Sequence, residues 1–308
     1  GAGLLPMPLA HLEVQTHPAA RFELIVAEHG GGDGAEVLER YSGGAPVRTR
    51  SLHRPGYNAA EARNEAAREA DGRWLLFLDE DLLAGPGLVA AHIRAQEQHG
   101  GAAAVSGAVQ VHPQIDPRTF IKRFVAPGAS WREADAPLRL VDWSFHNLSL
   151  PTAAFLGAGG FDGRGAFDGM HDLALAWRLR TAGIQAYASS DATAYSWRPT
   201  SMADERARQY LNGYALHTAL AVTGSDEIGR LVPAPPRGAH RCATRLLLPA
   251  YRRLCGVFGE GARSLGFVRD QVLAHDYLRG YGDAVAGRPP EVGRNRTSGL
   301  GVPPKAPS

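Results

Sequence analysis

This sequence has no long uncharged stretch. No run of about 18 apolar residues occurs along its 308 residues, which excludes a transmembrane protein. Cysteine is scarce as well: the chain contains only Cys242 and Cys255, too few for a disulfide scaffold or a cysteine-rich zinc site. No signal peptide is visible, and the chain starts at Gly1 rather than Met. We therefore expect a reducing, cytoplasmic setting.

Lysine is nearly absent, because Lys122 and Lys305 are the only two in the chain. The many arginines, together with 37 glycines and abundant alanine, are typical of a GC-rich bacterial genome. The net charge of +2 is unevenly distributed, since the residues from Asp226 onward carry 13 basic and 7 acidic side chains. We expect a solvated surface there, with contact to an anionic membrane face or a phosphate-bearing partner as the alternative. No nucleic-acid partner is expected.

Apolar runs of strand length alternate with helical segments through the first third of the chain, and the composition is 44% hydrophobic. This alternation indicates βαβ units and an α/β fold with a mainly parallel sheet. The predicted strands are Arg21–Ala27, Val47–Leu52, Trp74–Leu78 and Ala102–Val111. The predicted helices are Leu5–Gln15, Ala35–Tyr41, Asn58–Ala70 and Pro86–His99.

The pattern changes after Val111, where extended segments and longer helices follow. Extended structure is predicted at Leu138–Leu150 and Gln185–Trp197, and helices at His171–Ala182, Ala203–Val222, Leu246–Val257 and Ser264–Ala286. We therefore expect an α/β domain over residues 1–200 and a helical extension over residues 201–287. Residues 288–308 are rich in Pro, Gly and Arg, a composition that predicts a disordered tail.

Three consecutive acids, Asp79-Glu80-Asp81, follow the buried strand Trp74–Leu78. Adjacent carboxylates repel one another unless a cation joins them. Such oxygen ligands suit Mg²⁺ or Mn²⁺, which keep open positions for substrate phosphates. Ligands of parallel α/β sheets bind beyond the carboxyl ends of the strands, where these acids lie. The alternative is an acidic helix N-terminus capped by Asp81.

A second acidic segment precedes the predicted helix His171–Ala182. Asp172 lies in the first turn of this helix, where the helix dipole keeps a carboxylate ionised. An ionised carboxylate beside a sugar hydroxyl can act as its general base. Asp168, four residues earlier in the chain, has the simpler role of helix N-cap.

Four segments follow one another along the chain: QTHPAARFELIVAEHGGGDG, RPGYNAAEARNEAAREADGRWLLFLDED, FHNLSLPTAAFLGAGGFDGRG and HDLALAWRLRTAG. Taken in this order, they resemble the family 2 inverting glycosyltransferases of the GT-A fold. The resemblance covers about residues 13 to 200. It implies a Rossmann-like, mostly parallel sheet flanked by helices. It also implies a metal-dependent hexosyl- or related transferase whose donor is a UDP- or GDP-type nucleotide-diphospho-sugar.

The resemblance assigns roles to individual residues. Asp81, with Asp79, would hold the Mg²⁺ or Mn²⁺ ion, and Asp172 would deprotonate the hydroxyl of a small-molecule or lipid-linked acceptor. The residues implied in nucleotide and donor binding are Glu28, His29, Arg63, Glu80 and Asp81. Those implied in the acceptor and donor pocket are Asn147, Gly160 and His171. For Arg63 the alternative is a solvated arginine on a helix.

Several positions depart from the family pattern. Glu28 and His29 replace a pair of aspartates, His171 replaces a glutamate, and Ser196 stands where a histidine is common. The family's opening strand is reduced here to Gly1–Pro8, for which we expect a short strand at Gly3–Leu5 or a truncated chain. A catalytically degenerate homologue that binds a nucleotide or a partner is therefore the alternative function. A nucleotidyltransferase is a third alternative, although this chain lacks the phosphate-binding loop expected of that class.

Histidines and aromatic residues give weaker signals. Most histidines, including His53, His112, His146, His171 and His217, lack metal-ligand spacing, which predicts surface or satisfied core positions. Trp143 and Phe145 suit either stacking on a sugar ring or packing in the core.

Overall fold

The computed structural model describes residues 5–28, 37–38, 41, 46–53, 58–115, 136–143, 145–162, 171–197, 201–230 and 266–290. The strands are β1 (Glu23–Glu28), β2 (Arg48–His53), β3 (Trp74–Leu78), β4 (Leu82–Ala84), β5 (Ala104–Val111), β6 (Asn147–Pro151) and β7 (Ala186–Ser196). The helices are α1 (Pro6–Glu13), α2 (Ala59–Glu69), α3 (Leu88–Gln98), α4 (Thr152–Gly157), α5 (His171–Thr181), α6 (Met202–Thr223), α7 (Asp226–Gly229) and α8 (Gly266–Val285). Short 3₁₀ turns lie at Ala19–Arg21 and Leu140–Asp142.

The chain divides into two compact units. The first comprises residues 1–111 and 124–197, and the second comprises residues 112–123 and 198–308. All the strands above and helices α1 to α5 belong to the first unit, whereas α6, α7 and α8 belong to the second.

The α/β class is confirmed, and the main sheet is mixed. Its five strands run in the order β3-β6-β5-β7-β4. Strands β5 and β7 are parallel, whereas β3 with β6, β5 with β6, and β4 with β7 are antiparallel. Strands β1 and β2 form a separate parallel pair from Glu23 opposite Arg48 to Glu28 opposite His53. Among the described residues the sheet is therefore less parallel than the alternation of elements predicts, because β4 and β6 run against their neighbours.

Most predicted elements of the first unit are confirmed within a few residues. Strand β4 is an addition, and the predicted extended segment Leu138–Leu150 contains a 3₁₀ turn before β6 begins at Asn147. Trp143 and Phe145 are buried, with exposures of 5% and 0%, so the core interpretation of these two residues is confirmed. The predicted strand at Gly3–Leu5 and helix Ala35–Tyr41 lie largely outside the described residues.

Helix α2 owes its start to a reciprocal cap. The side chain of Asn58 accepts a hydrogen bond from the backbone N–H of Glu61 at 3.0 Å, and the Glu61 carboxylate accepts one from the backbone N–H of Asn58 at 2.9 Å. This capping box satisfies two backbone donors that a helix start leaves unpaired. Ala60, Ala62 and Ala67 are the buried residues of the helix, which also carries Arg63 and Asn64.

An aromatic cluster supports the carboxyl end of β3. The ring of Phe77 lies with its centroid 6.0 Å from Phe145, 5.1 Å from Phe155 and 5.4 Å from Phe161. The pairs with Phe145 and Phe161 are edge-to-face and the pair with Phe155 is tilted; edge-to-face pairs contribute about 0.5–1.5 kcal/mol each beyond the area they bury. The cluster thus packs the end of β3 against β6, α4 and the turn that follows α4.

A buried polar network fixes β6. Asn147 is fully buried, and its side-chain amide donates to the carbonyl oxygens of Ala108 at 3.1 Å and Ala192 at 2.9 Å. Its oxygen accepts from Nε2 of His92 at 2.9 Å, and the other nitrogen of that ring, Nδ1, lies 3.0 Å from Oγ of Ser149. Burial lowers the pKa of His92 to about 4, so the ring is neutral and one nitrogen donates while the other accepts.

Close approach explains a glycine beside this network. A Cβ at Gly107 would lie 2.3 Å from the side-chain nitrogen of Asn147 and 2.4 Å from the carbonyl oxygen of Ala192. The register between β5 and β7 shifts between Gly107 and Val109. The amide of Asn147 therefore occupies the space that this irregularity opens.

In the second unit, α6 and α8 pack with their backbones in close approach. A Cβ at Gly213 would lie 1.9 Å from the carbonyl oxygen of Tyr277, and one at Gly280 would lie 1.8 Å from that of Tyr210. Arg206 donates to the buried carboxylate of Asp276 at 2.6 Å. The predicted helices at these positions are confirmed, whereas Leu246–Val257 lies outside the described residues. None of the helices in the described part of the chain has the length and apolarity required to cross a membrane.

Candidate functional site

The acidic tripeptide begins where β3 ends. Antiparallel pairing of β3 with β6 sets Leu78 opposite Asn147, and the backbone N–H of Asp79 donates to the carbonyl oxygen of His146 at 3.1 Å. The N–H of Leu82 then donates to the carbonyl oxygen of Asp79 at 3.1 Å, which closes a turn into β4. Helix α3 begins only at Leu88. The alternative in which Asp81 caps a helix is therefore wrong.

The carboxylate of Asp79 lies between two cationic side chains. Its Oδ1 atom accepts a hydrogen bond from Nη2 of Arg63 at 2.6 Å, and its Oδ2 atom accepts one from Nδ1 of His146. The exposed fractions of the side chains are 16% for Asp79, 33% for Arg63 and 34% for His146. Each oxygen thus makes a charge-assisted hydrogen bond, a class about twice as strong as neutral ones.

The charges of this cluster shift its titrations. Burial alone would raise the pKa of Asp79, but the charge and hydrogen bond of His146, followed by those of Arg63, lower it to about 2. Burial alone would lower the pKa of His146, yet the charge and hydrogen bond of Asp79 and the charge of Asp172 raise it to about 9 against the opposing charge of Arg63. At neutral pH His146 is therefore a cation, and the negative charges of both Asp79 and Asp172 stabilise it.

Asn64, the residue after Arg63, fastens the Gly159-Gly160 turn. Its side-chain nitrogen donates to the carbonyl oxygen of Phe161 and its oxygen accepts from the N–H of the same residue, both at 2.8 Å. Gly160 has a φ of +67°, and a Cβ there would lie 2.4 Å from the oxygen of Asn64. Only glycine fits this combination of conformation and contact.

Helix α5 is tied to the same turn. Arg178 on α5 donates to the carbonyl oxygens of Ala158 and Gly160. The guanidinium carbon of Arg63 lies 5.7 Å from the ring centroid of Phe161, the residue after Gly160. The arrangement joins α2, the glycine turn and α5, and Asp172 lies in the first turn of that last helix.

The other predicted site residues have different surroundings. Glu28 ends β1 and lies 3.2 Å from Nδ1 of His53. Glu80 is exposed and Asp81 is half-buried. Asn147 is fully buried within the polar network described above, so any effect on a pocket is exerted through the position of β6. His29 and the side chain of His171 lie outside the described residues.

His146 and Asn64 are the site residues that the sequence patterns do not single out. The sequence predicts a surface or satisfied core position for His146, and the structure adds that its partner is Asp79 and that its pKa is strongly raised. The available signal was its place directly before Asn147 in the segment FHNLSLPTAAFLGAGGFDGRG. Asn64 contacts Phe161, which lies 97 residues later in the chain, and this separation hides the contact from local patterns.

The donor set decides which carboxylate suits a metal ion. Both oxygens of Asp79 accept hydrogen bonds from cations, so as arranged this carboxylate does not fit the role of metal ligand. Asp81, two residues later and half-buried, is another carboxylate at this end of β3, and Mg²⁺ is usually held by one or two carboxylates with substrate phosphates and waters completing the shell. Within the described ranges, no group of three or more His, Cys, Asp or Glu residues is placed to hold a metal.

Comparison with known proteins supports one family. The sequence profile described as "Glycosyl transferase family 2" matches residues 9–155, a span that contains Arg63, Asp79 and His146. Together with the relatives and the solved structures, this match supports a family 2 glycosyltransferase. The chain is 30% identical over 212 residues to validoxylamine A glucosyltransferase from Streptomyces hygroscopicus subsp. jinggangensis, and the matched part is 59% of the chain and 50% of the relative. It thus spans about half the length of the curated relatives it matches.

Solved structures show the same GT-A fold. The chain resembles the mannosyltransferase PcManGT from Pyrobaculum calidifontis in complex with GDP-Man and Mn²⁺, with a TM-score of 0.58, 15% identity and coverage of 94% of this chain and 85% of that one. It also resembles S. aureus TarS 1-349 in complex with UDP-GlcNAc, with a TM-score of 0.52, 12% identity and coverage of 92% and 88%. At such low identities the likeness establishes the fold alone.

Proposed function

We propose that this chain is an inverting glycosyltransferase that moves a sugar from a nucleotide-diphospho-sugar to an acceptor hydroxyl. The observation that carries the proposal is the cluster of Arg63, Asp79 and His146 at the carboxyl end of β3, with the charge of Asp172 acting on the same histidine. The ligands of the two structural neighbours, GDP-Man and UDP-GlcNAc, support a nucleotide sugar as donor. The acceptor, a small molecule or a lipid-linked hydroxyl, stays a prediction.

The donor would bind beyond the end of β3. Arg63 is held by Asp79 and one third exposed, and a planar guanidinium suits contact with a phosphate or a base. Glu80 and Asp81 follow Asp79 in the turn, and Glu28 with His29 would approach the base from the end of β1. These donor contacts are part of the proposal.

Asp81 is the residue that we assign to the metal ion in this account. When Mg²⁺ or Mn²⁺ is bound, it offsets the negative charge of the departing diphosphate. Gly160 and the residues around it would shape the sugar pocket, since the turn is clamped from both sides by Asn64 and Arg178. His171 and Asn147 complete the residues assigned to this pocket.

Asp172 is the proposed general base. Its place in the first turn of α5 and the nearby cation of His146 both favour the ionised carboxylate. The acceptor oxygen forms a bond to the anomeric carbon as the bond from that carbon to the diphosphate oxygen breaks, and the hydroxyl proton moves to Asp172. A single displacement on the face opposite the leaving group inverts the anomeric configuration.

The proposal is tested by nucleotide binding and by one substitution. UDP or GDP is expected to raise the melting temperature of the full chain in the presence of Mn²⁺. Asp172→Asn should lower sugar transfer or donor hydrolysis by about 10²- to 10⁴-fold while nucleotide binding remains. Asp191→Asn, at a side chain that is 77% exposed on β7, is the matched control and should leave both unchanged. Failure of both nucleotides to shift the melting temperature would contradict the proposal.

A catalytically degenerate homologue that binds a nucleotide or a partner is the second candidate. It is favoured by the internal pairing of both Asp79 oxygens and by His171, which stands where the family has a glutamate. This candidate predicts nucleotide binding without turnover, so that Asp172→Asn would change neither quantity. The same two assays therefore separate the candidates.

A further inference from the structure

We propose that His146 is a positioning residue of the donor site: with Arg63 it fixes both oxygens of Asp79, and so keeps Asp79 out of the ligand set of the metal. This inference rests on the proposed function, because it assigns roles within the donor site of a glycosyltransferase. It adds a residue that the sequence patterns do not select and removes one of the two predicted metal ligands.

The register of the sheet places the two side chains together. Strands β3 and β6 are antiparallel with Leu78 opposite Asn147, so the next pair outward is Asp79 opposite His146. The backbone bond from the N–H of Asp79 to the carbonyl oxygen of His146, at 3.1 Å, continues that pairing. Directly opposite residues of an antiparallel pair have neighbouring Cβ atoms on the same face. The contact between the carboxylate and the imidazole therefore follows from the strand pairing.

The backbone next to His146 is fixed by Asn147, the following residue in the sequence. Asn147 is fully buried, and its amide makes hydrogen bonds to His92 and to the carbonyl oxygens of Ala108 and Ala192. These bonds fix the backbone at the start of β6 against α3, β5 and β7. A side chain on such a support holds its partner with little freedom, which is what a positioning residue requires.

The charges oppose metal coordination by Asp79. Each carboxylate oxygen already accepts a hydrogen bond, Oδ1 from Arg63 and Oδ2 from His146. A dication that bound to Asp79 would displace one of these donors and would lie beside the guanidinium of Arg63, whose charge repels it. Asp81, two residues later and half-buried, carries the metal in this account. Asp79 instead orients Arg63 for the nucleotide.

The test separates metal binding from nucleotide binding. Mn²⁺ affinity is measured by electron paramagnetic resonance with UDP or GDP at a concentration that saturates each variant, so that a weaker nucleotide affinity does not lower it. Nucleotide affinity is measured separately by titration calorimetry. Asp81→Asn is expected to weaken Mn²⁺ binding at least about tenfold, whereas Asp79→Asn leaves it within about threefold. His146→Ala should weaken nucleotide binding about tenfold, and His146→Asn, which retains a donor at the reach of Nδ1, should restore part of the loss.

His217→Ala serves as the control, because this histidine is also half-buried but belongs to the second unit. It should leave both affinities unchanged. Equal loss of Mn²⁺ from Asp79→Asn and Asp81→Asn would overturn the inference, and so would unchanged nucleotide affinity in His146→Ala. A wild-type protein that binds neither UDP nor GDP with Mn²⁺ would overturn the proposed function, and this inference with it.

A crystal structure of the wild-type protein with Mn²⁺ and the nucleotide that binds gives a check that needs no variant. The inference requires the manganese peak, located by anomalous scattering, to lie against Asp81 while Asp79 still contacts Arg63 and His146. A direct bond between the manganese ion and Asp79 would overturn it.

Discussion

The pairing of Asp79 with His146 has a free energy that can be worked out from the structure. The pKa of His146 is raised from 6.5 to about 9, and one unit corresponds to about 1.4 kcal/mol, which gives an upper value near 3.5 kcal/mol. Part of the rise comes from Asp172, and one third of the side chain is exposed and screened by water. The pKa of Asp79 falls from 3.8 to about 2. We therefore expect a coupling of about 2 kcal/mol between the two residues.

The sign of the pH dependence follows from the two shifts. The raised pKa of His146 means that its contribution is complete below pH 6.5 and is lost as the pH rises through about 9. The lowered pKa of Asp79 means that its contribution is present above 3.8 and is lost as the pH falls through about 2. The coupling is therefore largest between pH 3.8 and pH 6.5, where both contributions are complete.

A double-mutant cycle measures this coupling. The wild type, Asp79→Asn, His146→Asn and the double variant are unfolded in urea at pH values from 6 to 10, with circular dichroism as the probe. The exposed pair Arg94 and Asp191, at 3.8 Å, is the control and should give less than about 0.5 kcal/mol. A coupling for Asp79 and His146 as small as that of the control, or one that does not fall between pH 6 and pH 10, would refute the reasoning.

Three further substitutions test the packing around the site and in the second unit. Gly160→Ala should destabilise the fold by about 1–3 kcal/mol in a urea titration, because the residue has a φ of +67° and its Cβ would lie 2.4 Å from an oxygen on α2. Gly183→Ala is the control: its φ is also positive but its Cβ would meet open space, so it should cost less. Gly280→Ala should lower the melting temperature, since its Cβ would lie 1.8 Å from a backbone oxygen of α6, whereas Gly282→Ala, with nothing within 4 Å, should raise it. Asn147→Ala should cost more than about 2 kcal/mol, because it removes the hydrogen-bond partner of the carbonyl oxygens of Ala108 and Ala192 and of Nε2 of the buried His92. An unchanged urea midpoint would count against the network.

Local patterns predict the elements whose apolar residues are continuous or periodic in the sequence. Strand β3 has the predicted bounds because its five residues, WLLFL, are all apolar. Helix α2 is confirmed because its cap and its alanines are encoded within one segment. Strand β4 has only three residues and forms by pairing with β7, more than a hundred residues later, so no local pattern predicts it.

The site was harder to predict, because its contacts depend on strand direction and on long separations. Asp79 and Asp172 are selected by the sequence, since acidic residues at element ends are conspicuous. The role of His146 depends on the antiparallel register of β6, which the alternation of elements predicts wrongly. The segment before β6 is predicted to be extended because its apolar residues recur, yet Leu140 lies in a 3₁₀ turn.

The stereochemistry of the reaction tests the single displacement in which Asp172 acts as the general base. A UDP- or GDP-sugar is incubated with the protein and Mn²⁺, and the anomeric proton of the first-formed product is followed by nuclear magnetic resonance before the sugar equilibrates. We expect a product of inverted configuration, formed by the wild type and at least about 100-fold more slowly by Asp172→Asn. A product of retained configuration, or turnover at the wild-type rate in Asp172→Asn, would contradict this mechanism.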